Sequence, residues 1–249
     1  MRLNNRPNNE IRPISFELGF LKHHKSSVLM SLGDTKVLAV VSSENRVPAH
    51  RYEIGGWLSA EYNMMPGATF PRKPRAISKL RNDGRSVEIS RLIGRSLRQA
   101  VDINAIGPRT LSIDCDVISA DAGTRSACIT AGYMALVLHV AELLKSNQIK
   151  MKTMEDIILR PVAAISLGVI NDQILCDLDY QEDFKADTDC NLVASNNNQI
   201  IEFQSTAEQK PLNQNLLVEM LGVGQHAITQ LLDLQKKTLL KAGIVLHHS

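Results

Sequence analysis

Short apolar runs cover residues 28–32 and again 37–41, with Gly33-Asp34 between them. This reads as strand, tight turn, strand, because Gly and Asp tolerate the left-handed backbone of a two-residue hairpin turn. Residues 162–170, then Asn171-Asp172, then 174–178 repeat the arrangement. Residues 57–62, 111–118, 192–194 and 200–203 add further strand candidates. The period changes to that of a helix over about 86–101, 127–144 and 213–240. On the first of these helices Ile89, Ile93, Leu97 and Ala100 share one face. Arg91, Arg95 and Arg98 form a stripe on the other, with Glu88 in reach of Arg91 or Arg95. Each hairpin is followed by more strand and then helix, an echo of element order rather than of residue identity. The pattern predicts an α/β (α+β) fold, one compact unit of two related β/α halves. It spans residues 1–242 with a join near 150–156, and a C-terminal tail, 243–249, is expected to fray.

Composition adds little to this picture and removes several alternatives. With 249 residues, 44% hydrophobic and 22% charged, the chain has enough apolar sequence for a full core. Its first ten residues are polar and lack the apolar stretch of a signal peptide, and the densest apolar run, 134–140, is broken by His139 and too short to span a bilayer. Cys115, Cys128, Cys176 and Cys190 are widely spaced and form no metal-ligand motif, so buried free thiols in a reducing cytoplasm are expected, without a membrane partner. With one Trp and 4% aromatic residues, the chain does not read as a base-stacking module of the RRM type. Trp57 and Tyr62, at strand spacing, read as core or interface residues.

Charge changes the picture more. The chain carries a net +2, yet residues 72–98 hold nine basic residues against two acidic ones, a net +7. Residues 172–189 hold seven acidic residues against one lysine, a net −6. A basic tract suits a polyanion and an acidic loop suits a hard divalent cation, so the pair points to chemistry on a phosphate chain.

Gly123-Thr124-Arg125-Ser126 sharpens that reading. It lies where the strand at 111–118 feeds a long helix, so the first backbone N–H groups of that helix face an incoming anion. Two hydroxyls and a guanidinium at that point make a phosphate receptor. Arg85 follows Gly84 at the start of the helix over 86–101, where a cation opposes the helix dipole unless an anion is shared with it. None of the seven His residues falls in a Ser/His or Cys/His arrangement, as expected if the attacking group is not a side chain.

These residues also carry a family resemblance. The runs Gly56-Trp-Leu-Ser-Ala-Glu-Tyr-Asn, Gly84-Arg-Ser-Val-Glu-Ile-Ser-Arg, Asp114-Cys-Asp-Val, Asp121-Ala-Gly-Thr-Arg, Cys176-Asp-Leu-Asp-Tyr-Gln-Glu-Asp and Glu202-Phe-Gln-Ser-Thr-Ala-Glu resemble the ribonuclease PH family. They follow in family order from about residue 2 to 237. The resemblance implies two halves of the ribosomal-protein-S5-domain-2-like type and phosphorolytic 3′-to-5′ trimming of transfer RNA precursors, with release of nucleoside diphosphates. It implies inorganic phosphate as co-substrate, Mg2+ as divalent metal, and a homohexamer built as a trimer of dimers. Residue by residue, it places Arg85 on RNA or the scissile phosphate, and Gly123, Thr124, Arg125 and Ser126 on the attacking phosphate. Asp183 and Asp189 would hold the metal, with Asp183 the candidate proton donor to the leaving 3′-oxygen. Arg72, Lys73, Arg75, Lys79 and Arg81 would line the RNA path.

The chain departs from the family pattern at Ile54, Ser90, Cys190 and the tract 72–81, none of which removes a proposed catalytic group. The rival function is a catalytically silent RNA-binding ring subunit of the same fold. A polynucleotide phosphorylase core would bring appended RNA-binding modules, and a hydrolytic nuclease would need a carboxylate-rich two-metal site.

Overall fold

The computed structural model describes residues 2, 5–49, 55–75, 83–149 and 152–246. Lys79, Arg81, the first part of the 150–156 join and His247-His248 lie outside them. Among these residues nine strands and five α-helices follow in the order β1(Ile14–Leu18), β2(Ser27–Leu32), β3(Thr35–Glu44), β4(Trp57–Met64), α1(Gly84–Arg98), β5(Thr110–Ser119), α2(Thr124–Lys145), α3(Met154–Ile157), β6(Ala163–Ile170), β7(Gln173–Cys176), α4(Tyr180–Lys185), β8(Thr188–Ala194), β9(Ile200–Ala207) and α5(Gln214–Lys241), with a 3-10 turn at Pro66–Ala68.

Two sheets form, ordered β1-β2-β3-β5-β4 and β7-β6-β8-β9. Both expected hairpins are present: β2 pairs with β3 from Leu32↔Thr35 outward, and β6 pairs with β7 from Ile170↔Gln173 outward. Gly33 stands at φ +55, and Asn171 and Asp172 at φ +49 and +59, as their turns require. β4 and β5 are parallel, joined through α1 in a crossover unit, while every other pairing is antiparallel.

The two halves meet on α2. It is buried along most of its length, from Thr124 to Leu143, because it packs against both sheets. Its apolarity is therefore that of a core helix, although among the described residues it alone is long and apolar enough to cross a membrane. Thr130 joins the halves by polar means: its hydroxyl accepts from the Ala164 N–H at 3.0 Å and donates to the Ala164 carbonyl at 3.3 Å. Gln235 of α5 donates its amide to the carbonyls of Thr130 and Val162.

Three features differ from the sequence expectations. β1 was not expected; it is a short edge strand of half-buried Ile14, Phe16 and Leu18. The acidic loop contains α4, closed by a capping box in which Asp179 accepts from the Glu182 N–H and Glu182 reaches back to the Asp179 N–H. The start of the tail turns back at Gly243. That residue takes φ +78, the Ile244 N–H returns to the Leu239 carbonyl at 3.0 Å, and Ile244 and Leu246 pack on the core.

Candidate active site

A cleft of about 940 Å³ opens between the two halves. One wall belongs to the first half. The chain leaves β5, passes through Ala122 and Gly123 at φ +54 and +63, and enters α2 with no side chain capping it. The N–H groups of the first turn of α2 are thus left for an anion, reinforced by the helix dipole. Gly123 is needed on two grounds. Its φ is left-handed, and a Cβ there would lie 3.2 Å from the Arg12 guanidinium and 3.5 Å from Ser166 Oγ. Thr124 and Arg125 line the cleft. The Thr124 hydroxyl is held by the Tyr62 hydroxyl at 3.0 Å, and Tyr62 is a core residue whose phenol burial pushes up to about 12, so it stays protonated as a positioning group. Glu88 approaches Arg125 at 3.8 Å.

Arg85 reaches the same cleft from the N-terminus of α1. Asp83 caps that helix, accepting from the Arg85 N–H at 3.3 Å and the Ser86 hydroxyl at 3.2 Å. Lys73 pairs with Asp83 at 2.7 Å and also lines the cleft. Of the tract assigned to the RNA path, Lys73 is therefore in the cleft wall, whereas Arg72 and Arg75 are exposed outside its lining.

The opposite wall comes from the second half and is acidic. Asp183 of α4 and Asp189 of β8 both line the cleft, with Glu208 just beyond β9. Burial pushes the Asp183 carboxyl above its ordinary range and the charge of Asp189 pushes it further, while Arg85, Arg125 and Arg12 pull it back. The two arginines of the first wall thus act electrostatically on the carboxylate of the second. Asp189 Oδ1 is buried without a hydrogen-bond partner. Among the described residues no group of three or more carboxylate, imidazole or thiol ligands forms a complete cage. Two facing carboxylates, one with an unused oxygen, do fit a hard divalent ion that keeps waters and takes phosphate oxygens as its other ligands.

The structure revises several sequence assignments. Ser126 is buried and its hydroxyl donates to Asn191 Oδ1 at 3.3 Å, across the join of the halves, so only its backbone N–H remains on the anion side. Arg95 pairs with Glu202 of β9 through two hydrogen bonds rather than with Glu88. Arg98 packs over the Trp57 ring at 5.2 Å. Most of the acidic loop does not face a cation site. Asp177, fully buried at φ +55, takes a bidentate pair from Arg12 at 2.9 and 2.7 Å and the Arg12 N–H at 2.7 Å. Glu182 takes the Arg2 guanidinium at 2.6 and 2.7 Å. Asp187 accepts from the Asn171 N–H at 3.2 Å.

Sequence reasoning also missed contributors. Ser166 Oγ is buried, unpartnered and in the cleft floor beside Gly123. Arg12 sits beneath the phosphate loop, bonding Asp121 as well as Asp177. A Ser26, His139 and Glu142 cluster on the far side of α2 is no hydrolase triad. Ser26 Oγ contacts both partners, at 3.0 and 3.1 Å, and His139 Nε2 is buried with no partner to orient it.

With this geometry in place, the likeness to known proteins has a physical basis. Residues 10–140 match the model of domain 1 of the 3′ exoribonuclease family, and residues 160–227 match that of domain 2. The chain is 45% identical to the ribonuclease PH of Rhodopirellula baltica, over 94% of this chain and 96% of that protein. It is 42% identical to the ribonuclease PH of Bacillus subtilis, over 96% and 97%. Among solved structures it superposes on rice (Oryza sativa) Rrp46 with a TM-score of 0.78 at 19% identity, over 96% of this chain and 100% of that one. The Archaeoglobus fulgidus exosome with RNA bound to the active site gives 0.78 at 19%, over 92% and 91%. The structural likenesses establish the fold, and the sequence matches establish descent: the chain belongs to the ribonuclease PH family of 3′ exoribonucleases.

Proposed function

We propose that this chain is a phosphate-dependent 3′-to-5′ exoribonuclease that trims transfer RNA precursors and releases nucleoside diphosphates, a reversible nucleotidyl transfer. The observation that carries the reading is one cleft in which Arg85, Arg125, Thr124 and a helix N-terminus face Asp183 and Asp189. Inorganic phosphate docks on the α2 N-terminus, held by the Thr124 hydroxyl, the first-turn N–H groups and the Arg125 guanidinium. Arg85 holds the scissile phosphodiester beside it. The two arginines offset the charge that builds on the equatorial oxygens as phosphate attacks. Asp183 and Asp189 are the residues that would hold Mg2+, which supplies Lewis-acid polarisation of a phosphoryl oxygen when bound.

Lys73 in the cleft wall, with Arg72 and Arg75 outside it and Lys79 and Arg81 further along the chain, supports an RNA path up to Arg85. A homohexamer, a trimer of dimers, rests on the family resemblance. The four buried free cysteines support a reducing, cytoplasmic setting.

The test is to incubate the protein with a short RNA bearing a free 3′ hydroxyl and Mg2+, with and without phosphate, and identify the nucleotide released. Diphosphates that appear only with phosphate are expected. Monophosphates without phosphate would replace phosphorolysis with hydrolysis. Bound RNA without release would make the chain a silent ring subunit.

A further inference from the structure

Large apolar side chains left in water at the mouth of a charged cleft mark a contact surface. Phe184 is 76% exposed and Tyr180 is 56% exposed, and both line this cleft. They stand one turn apart on α4, with ring centroids 6.4 Å apart and planes tilted by 30°. Neither ring covers the other, so aromatic faces remain open. The helix that carries them is firmly placed. Its capping box closes its first turn, and the Tyr180 N–H donates to Asp121 Oδ1 at 3.0 Å, tying α4 to the phosphate loop. Phe184 directly follows Asp183, so an aromatic ring and a cleft carboxylate share one rigid turn.

Resting on the function proposed above, we infer that Phe184, backed by Tyr180, is the stacking platform for the base of the RNA's 3′-terminal nucleotide. The cationic wall and the helix N-terminus take phosphates, which carry no base information. An RNA 3′ end seated there brings one unpaired base to the rim, and an exposed ring is the surface that an unstacked base seeks. Stacking accepts every base, as required of an exonuclease that removes residues in succession. The aromatic reader is a local pair on α4: Trp57 is covered by Arg98, Tyr62 is buried, and the exposed Phe70 stands outside the cleft lining.

The experiment compares two 5′-labelled oligoadenylates, one intact and one with an abasic 3′-terminal ribose, by fluorescence anisotropy without phosphate and by nucleotide release with it. Wild type is expected to bind the intact RNA about tenfold more tightly than the abasic one. Phe184→Ala is expected to lose that preference, with the loss in KM rather than kcat and no change in the phosphate requirement. Phe184→Trp is expected to restore it. Equal preference in wild type and Phe184→Ala would overturn the inference. So would a change in oligomeric state in Phe184→Ala, since the ring would then serve a subunit contact. Failure of wild type to release diphosphates would strike the proposed function instead, while the anisotropy comparison would still decide the stacking.

Discussion

The two walls of the cleft are built from halves with a similar order of elements, yet they carry opposite charge by different means. The first half presents cations at the N-termini of two long helices, α1 and α2, where the dipole, and at α2 the uncapped N–H groups, already favour an anion. Placing Arg85 and Arg125 there costs some helix stability, recovered when phosphate arrives. The second half presents carboxylates from a six-residue helix and a strand, where no long dipole opposes them. Its own helix start is occupied by Asp179 and Glu182, which leaves Asp183 and Asp189 toward the cleft. Duplicated architecture thus yields one phosphate wall and one cation wall.

The comparison breaks most completely at the joint beneath both walls. Arg12 is 7% exposed and links Asp177 of the second half to Asp121 of the first. Burial pulls its guanidinium down, but the Asp177 pair outweighs it and the net shift is upward. Arg12→Ala removes the bidentate guanidinium and leaves buried Asp177 with the backbone N–H of residue 12 and Arg6 at 3.3 Å, so a destabilisation of about 3–5 kcal/mol is expected. Denaturant unfolding measures it, and a loss under about 1 kcal/mol would mean that Arg6 and water replace the pair. On the cationic wall, Arg125→Ala is expected to slow phosphorolysis about 10²–10³-fold, by analogy with loss of one oxyanion donor. It should also raise the phosphate concentration needed for half-maximal rate. Kinetics equal to wild type at limiting phosphate would remove Arg125 from the site. On the acidic wall, Asp189→Asn should raise the Mg2+ required for activity about tenfold, with folding intact, and chelation should silence wild type. A variant with an unchanged Mg2+ titration would show that the unpartnered Asp189 oxygen holds no ion.

The same contrast explains what the chain disclosed before its structure was known. The hairpins, α1, β5, α2 and α5 are marked by local periodicity and turn residues, and the phosphate loop is local too, because Thr124 and Arg125 act from one strand-to-helix junction. The acidic wall is not local. Asp177 and Glu182 find their partners at Arg12 and Arg2, 165 and 180 residues away, so no short window shows that they are spoken for. The Asp179-x-x-Glu182 spacing, a capping box in the structure, is the local signal of α4 that the acidic reading passed over. Ser126 teaches the reverse lesson: its position was legible, but which way its hydroxyl turns depended on Asn191 of the other half.

The smallest expected effect concerns Glu182, which belongs to the acidic segment but serves structure. Burial opposes its ionisation, yet the Arg2 hydrogen bonds, the Asp179 N–H and the charges of Arg2 and Arg6 outweigh it, and its carboxyl lies below the ordinary range. A carboxyl lowered in the folded state contributes stability above its unfolded value, and loses it as pH falls through the folded value. Glu182→Gln keeps the shape and one acceptor but turns charge-assisted bonds into neutral ones, a loss of about 1 kcal/mol at pH 7. That difference should persist down to the ordinary glutamate range, about pH 4.3, and shrink below it, as the unfolded carboxyl takes up its proton first and the folded one, held lower, follows. Chemical denaturation of both proteins at pH 7, 5 and 3.5 reads it directly. A gap that stays constant with pH would mean the loss is one of geometry alone. A gap that closes in acid shows that the ion pair with Arg2 anchors α4, and with it Asp183 and Phe184, to the N-terminal segment.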